Sequence, residues 1–166
     1  MKTLKESILS RSSHTGGGFK AQRRALIEKW LIEQDIKKYT IKYDFTIDVN
    51  GNVNISLRNL IELPEYIQFG EVNGYFKCSL NELTSLRGCP RVVVGDFDCV
   101  YNELTSLEGG PREVGGKFLC DANHLTSLKG APEKVRGDFY CRKNTTEFTE
   151  EDVKKVCNVN GKIYTK

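Results

Sequence analysis

Long apolar runs are missing from this chain. Nowhere in its 166 residues is there a stretch approaching the roughly 18 apolar positions of a membrane-spanning helix, so a membrane-spanning helix is excluded and no membrane partner is expected. The opening Met1-Lys-Thr-Leu-Lys-Glu-Ser7 has no apolar core and does not read as a secretory signal. Chemistry-bearing motifs are equally scarce. No C-x-x-C pair occurs, and Gly16-Gly-Gly18-Phe-Lys20 lacks the G-x-x-x-x-G-K-[ST] spacing of a phosphate loop, so it is expected to be a hinge. Of the two histidines, His14 lies in the N-terminal stretch and His124 at a repeat position expected in an exposed loop. Neither has a readable Cys, Ser or acidic partner for a nucleophilic dyad. No cofactor, metal or catalytic residue is assigned, and the chain is expected not to be an enzyme.

What charge there is lies unevenly. Residues 1–43 carry 10 Lys/Arg against 4 Asp/Glu, whereas residues 44–166 carry 15 against 18. A basic segment thus precedes a slightly acidic body. Such segments bind nucleic acid or acidic protein surfaces, or are simply solvated.

The body is repetitive. Cys78, Cys99, Cys120 and Cys141 are 21 apart, as are Asn81, Asn102, Asn123 and Asn144 and also Phe76, Phe97, Phe118 and Phe139. Leu-Thr-Ser-Leu recurs at 83, 104 and 125, and G-x-P at 88, 109 and 130. Phe and Cys alternate at period 2, which points both to one face of a short strand. Asn follows where the chain must turn, and its amide can satisfy backbone groups of a neighbouring coil. One such coil cannot bury its own apolar face, so coils must stack. Stacked this way, four of the six cysteines form a buried ladder, too linear to enclose a metal tetrahedrally. Cys89 falls at a small-residue position, and free thiols suit a cytoplasmic protein.

F-x-C-x-x-N-x-L stands where leucine-rich repeats write L-x-L-x-x-N-x-L, and the chain resembles the short members of that family. With Leu63-Pro-Glu-Tyr-Ile-Gln-Phe69 leading into N-x-L-T-S-L coils, it is more similar still to small repeat proteins encoded by tailed bacteriophages. The resemblance covers roughly residues 44–166. It implies an α/β repeat: a solenoid with a parallel sheet of about six short strands, starting near Gly51, Gly74, Gly95, Gly116, Gly137 and Gly161. It also implies a binding scaffold rather than a catalyst.

Both ends read as caps. Phe45-Thr-Ile47-Asp-Val49 alternates and Asn50-Gly51 suggests a two-residue hairpin, with the strand antiparallel to the first coil. A helix over about 149–157 opens on Thr149-Glu-Glu-Asp152, and Phe148, Val153 and Val156 are expected to cover the last leucines. The expected division is a flexible basic tail over 1–18, a capping helix and linker over 19–43, and the solenoid over 44–166. Leu26, Ile27, Trp30 and Leu31 share one face of the capping helix.

On the outward side of the strands, apolar and aromatic residues gather toward the later coils. Val100, Tyr101, Leu119, Tyr140, Arg142 and Tyr164 form the candidate partner-binding face, Tyr and Arg being common interface anchors. The same residues could instead be ordinary strand filling. The leading functional expectation is a non-enzymatic protein-binding module of a small phage-type repeat protein in the host cytoplasm. Its partner would be a host or phage protein, with inhibition of a host defence as the sharper form. The alternatives are nucleic-acid binding through Lys20, Arg23, Arg24, Lys29, Lys37 and Lys38, and a structural particle component. Oligomeric state is left open.

Overall fold

The computed structural model describes residues 16–166. Each coil of the repeat contributes two short strands, and the coils stack into two sheets. The six-stranded sheet comprises β3 (Val53–Asn54), β5 (Phe76–Lys77), β7 (Phe97–Asp98), β9 (Phe118–Leu119), β11 (Phe139–Tyr140) and β13 (Ile163–Tyr164), in that order. All its pairings are parallel, and Phe76, Phe97, Phe118 and Phe139 fall in register. These are the six strands expected from the glycine-led repeat.

A second sheet, of seven strands, adds to the expected one and takes in the expected cap strand Ile47–Val49. It runs β1 (Tyr39–Ile41), β2 (Ile47–Val49), β4 (Phe69–Val72), β6 (Val92–Val93), β8 (Glu113–Val114), β10 (Lys134–Val135) and β12 (Asn158–Val159). Its repeating strands come from the segment after G-x-P, where one buried Val per coil (Val93, Val114, Val135) reaches the core. The far side of each regular coil is therefore extended, and helices occur only at the two ends of the described chain.

The interior is a set of columns. Phenylalanine rings 76, 97 and 118 stack with centroids 5.6 and 5.5 Å apart and planes within 7°, and the step from 118 to 139 is 5.0 Å. The asparagines form the expected ladder. Asn102 donates from Nδ2 to the carbonyls of Cys78 (3.0 Å) and Cys99 (3.1 Å), and its Oδ1 accepts from the Leu83 N–H at 3.0 Å. Asn81, Asn123 and Asn144 repeat the arrangement one coil away each time. Each amide thus satisfies backbone groups that the turn would otherwise leave buried and unpaired. Gly88, Gly109 and Gly130 sit at φ +89°, +86° and +85°, which explains glycine at the G-x-P corner.

The N-terminal cap exists but is built differently from the expectation. Ile47–Val49 pairs antiparallel with Tyr39–Ile41 and parallel with β4, so the hairpin turn is Lys42–Thr46. The Asp44 carboxylate accepts from the Thr46 N–H at 3.0 Å in that turn. Asn50-Gly51 instead carries the chain around a corner into β3, because the first coil pairs parallel with the second. Helix α1 (Gly16–Glu33) lies on this end. It ends in a Schellman arrangement: Asp35 takes the left-handed conformation and the Ile36 N–H bonds the Leu31 carbonyl at 2.9 Å. Ile27, Trp30 and Leu31 are buried, Leu26 is partly so, and Trp30 meets Phe69 at 6.3 Å. Gly16–Gly18 form its first residues rather than a hinge; the rest of the expected tail lies outside the described residues.

At the other end, α2 (Glu150–Val156) is capped by Thr149, whose hydroxyl accepts from the Asp152 N–H while Asp152 accepts from the Thr149 N–H. The Thr149 hydroxyl also donates to Asp152 Oδ2 at 2.7 Å, and this bond, with those from the Thr149 N–H and the Lys155 ammonium, holds the Asp152 carboxyl down at about 2. Phe148 and Val153 are buried as expected, but Val156 is exposed. The chain becomes extended at Cys157, and that thiol takes the inward place instead.

Candidate protein-binding groove

The outward positions of the six-stranded sheet follow from the register. Lys77, Asp98, Leu119, Tyr140 and Tyr164 lie on neighbouring strands in one column. A groove of about 970 Å³ opens beside it across the later coils. Val100, Tyr101, Leu119 and Ala122 supply its apolar surface, and Arg142, Lys143 and Lys166 line its C-terminal end together with Asp121 and Glu147. Of the six residues expected to bind a partner, Val100, Tyr101, Leu119 and Arg142 line this groove. Tyr140 and Tyr164 stand next to it.

Those two tyrosines stack at 4.5 Å with planes 15° apart. The Arg142 guanidinium lies 5.2 Å from the Tyr140 ring centroid and 6.0 Å from that of Tyr164. It is held by Asp121, donating from Nε at 3.1 Å and from Nη2 at 2.7 Å to Oδ2, while the Arg142 backbone N–H donates to Oδ1 at 2.6 Å. The Tyr140 hydroxyl reaches Asp138 Oδ2 at 3.3 Å. Desolvation, followed by the neighbouring Tyr164 and Asp138, pushes the Tyr140 phenol up, and the bonds to Asp121 raise Arg142 further. The cluster is pre-ordered, so a partner would lose little side-chain entropy on meeting it.

The column preceding each strand's Phe ties neighbouring coils together. Asn52, Asp96 and Asp138 each accept from a backbone N–H of the next coil: Tyr75 at 3.1 Å, Lys117 at 2.7 Å and Lys162 at 2.8 Å. Each of these bonds ties one coil to the next through a backbone N–H. His124 pairs with Glu103 at 2.8 Å, both more than half exposed. All six cysteines are free and buried.

Among the described residues, Lys20, Arg23 and Arg24 are drawn onto the protein itself. The Lys20 ammonium donates to the Tyr43 hydroxyl at 2.7 Å, Arg23 lies 4.7 Å over the Phe45 ring, and Arg24 donates to the Ile41 carbonyl at 3.0 Å. Lys29 faces Glu33 at 3.9 Å and Lys37 faces Asp35 at 3.0 Å. Lys38 takes the left-handed conformation, and its carbonyl accepts from the Asn50 N–H.

Leu80, Ala122, Lys143 and Lys166 also line the groove without belonging to the expected face, although Tyr101, from the same column as the first three, does belong to it. The first three immediately precede the ladder asparagines, where the chain has left the strand, so a period of 2 no longer tells where they point. No helix among the described residues is long and apolar enough to cross a membrane. No family model, no curated protein and no solved structure matches this chain.

Proposed function

We propose that this chain is a non-enzymatic protein-binding module acting in the cytoplasm through the outer face of its six-stranded sheet. The observation that carries the reading is the pairing of an open apolar groove with a pre-ordered Tyr140–Tyr164–Arg142 cluster at its edge. Solenoids present such continuous surfaces because each coil adds one row of side chains, and Tyr and Arg are the side chains that most often anchor interfaces. Six free thiols fit a reducing compartment. The resemblance to phage-encoded repeat proteins extends the proposal to a host or phage protein as partner, and to inhibition of a host defence as the outcome of binding.

The test is affinity capture from nuclease-treated bacterial lysate with the full chain and with a Leu119→Ala/Tyr140→Ala variant. A protein retained by the first and lost from the second is expected. Equal retention by both would remove the face assignment. Capture that disappears on nuclease treatment would move the function to the basic segment and to nucleic acid.

A further inference from the structure

Three asparagines in this chain precede glycine: Asn50-Gly51, Asn73-Gly74 and Asn160-Gly161. Each pair occupies the same place in the fold. It is the corner leading from a strand of the seven-stranded sheet into one of the six-stranded sheet, β2 to β3, β4 to β5 and β12 to β13. All three asparagines are exposed.

The pair has a chemistry of its own. The backbone nitrogen of the glycine can attack the carbonyl carbon of the asparagine side chain, because glycine has no Cβ to obstruct the approach. The nitrogen loses its proton, a new C–N bond closes a succinimide ring, and ammonia leaves. Water then opens the ring at either carbonyl and gives aspartate or isoaspartate, the latter with one more carbon in the main chain. No oxidant is needed. The demand falls on the backbone: the attacking N–H must be free of hydrogen bonds, and the glycine must have room to move.

The three corners differ in this respect. From the second corner onward the glycines are joined coil to coil. The Gly95 N–H donates to the Gly74 carbonyl at 2.8 Å, Gly116 to Gly95 at 2.9 Å, Gly137 to Gly116 at 2.9 Å and Gly161 to Gly137 at 3.0 Å. The attacking nitrogen of Asn160-Gly161 is therefore engaged, and the next N–H, of Lys162, is held by Asp138 Oδ1 at 2.8 Å. Gly74 enters this ladder as an acceptor. The Gly51 carbonyl and the Asn52 side chain crowd the place where its Cβ would stand, and the following Tyr75 N–H is tied to Asn52 Oδ1 at 3.1 Å. Gly51 stands at the open end. It forms no hydrogen bond with the described residues, and no atom beyond its chain neighbours lies within 4 Å of where its Cβ would be.

We propose that Asn50 is a site of spontaneous deamidation, and that the fold shields the same dipeptide at Asn160 by the corner ladder and slows it at Asn73 by packing. The product places a carboxylate, and in the isoaspartyl form an extra backbone carbon, where the N-terminal cap meets the first coil.

The test is to incubate the full chain in mildly alkaline buffer made with heavy-oxygen water and to follow tryptic peptides by fragment mass spectra. Lys42, Arg58 and Lys77 are cleavage points that separate Asn50 from Asn73, and Lys155 and Lys162 release Asn160. Asn50 should convert fastest and Asn160 about tenfold more slowly, the retardation expected when one net hydrogen bond must open first. In guanidinium chloride, where the ladder is gone, the three rates should converge. An Asn50→Gln variant should lose most of the label and leave the other two rates unchanged. Equal rates in the folded chain, or an order that persists in guanidinium chloride, would overturn the inference, because the fold would then not set the rates. Asn73 converting as fast as Asn50 would overturn the assignment of the site. So would a folded chain that converts at none of the three while the unfolded chain does, since the first corner would then be as closed as the last.

Discussion

The two faces of the six-stranded sheet follow opposite rules. Inward, the coils repeat: Phe76, Phe97, Phe118 and Phe139 stack in one column and Cys78, Cys99, Cys120 and Cys141 in the next, all buried. Outward, the same strands carry Lys77, Asp98, Leu119 and Tyr140, with no residue used twice. Stacking demands identity inside, because a column of one shape packs against itself without voids. It demands nothing outside beyond tolerance for a strand. The variation on the outer face is therefore available for recognition.

The largest test of this contrast compares neighbouring residues on opposite faces. Phe97→Ala should cost about 3–5 kcal/mol in urea unfolding, since it opens the stack between Phe76 and Phe118. Leu119→Ala, facing the groove, should cost under about 1 kcal/mol. Similar values for the two would mean that the outer face is part of the core.

A smaller effect separates the polar groups of the two faces. Asn102→Ala removes the donor to the Cys78 and Cys99 carbonyls and the acceptor for the Leu83 N–H, all buried. About 2–3 kcal/mol should be lost, because these groups cannot turn to bulk water. Asp98→Ala removes bonds to the Ser79 hydroxyl and the Val100 N–H at the surface, where water replaces them, and should cost about 1 kcal/mol or less. Chemical denaturation of the two variants side by side measures the difference.

The same contrast explains what could be seen in advance. Inward columns advertise themselves by recurrence, and Phe, Cys, Asn and Leu at 21-residue steps led directly to six parallel strands. The second sheet did not, because its repeating strands carry a single core Val each. Charged neighbours such as Arg91, Glu113 and Lys134 mask it, and one inward residue displays no period, whereas the Phe and Cys of the other sheet alternate. The hairpin lies away from its expected place at Asn50-Gly51 for a related reason. Asn50-Gly51 carries a strong turn signature, yet the true turn at Lys42–Thr46 contains no glycine and puts Phe45 at φ 68°. On the outer face, the expected Val100, Tyr101, Leu119 and Arg142 line the groove, but that Leu80, Ala122 and Lys143 join them follows from left-handed backbone angles that composition does not encode.

The buried thiols offer a pH reading of the inward face. Burial holds the thiols of Cys99 and Cys120 well above the usual 9.0, and pushes those of Cys141 to about 12 and Cys157 to about 11. A raised thiol stays protonated in the folded chain while its unfolded counterpart ionises. Stability is therefore unaffected below about pH 9 and falls as pH rises beyond it, until the folded-state value is reached, first for Cys157 and then for Cys141. Each such thiol should contribute a slope of about 1.4 kcal/mol per pH unit. Urea unfolding at steps from about pH 8 to about pH 10 should show this decline before the phenols and lysines of the outer face titrate. Cys120→Ala should flatten the slope by one thiol's share, whatever it does to stability at neutral pH. A stability curve flat through this range would mean that water reaches the sulfurs in the folded state. The inner columns would then be no drier than the outer ones, and the division between the two faces would fail at its most buried point.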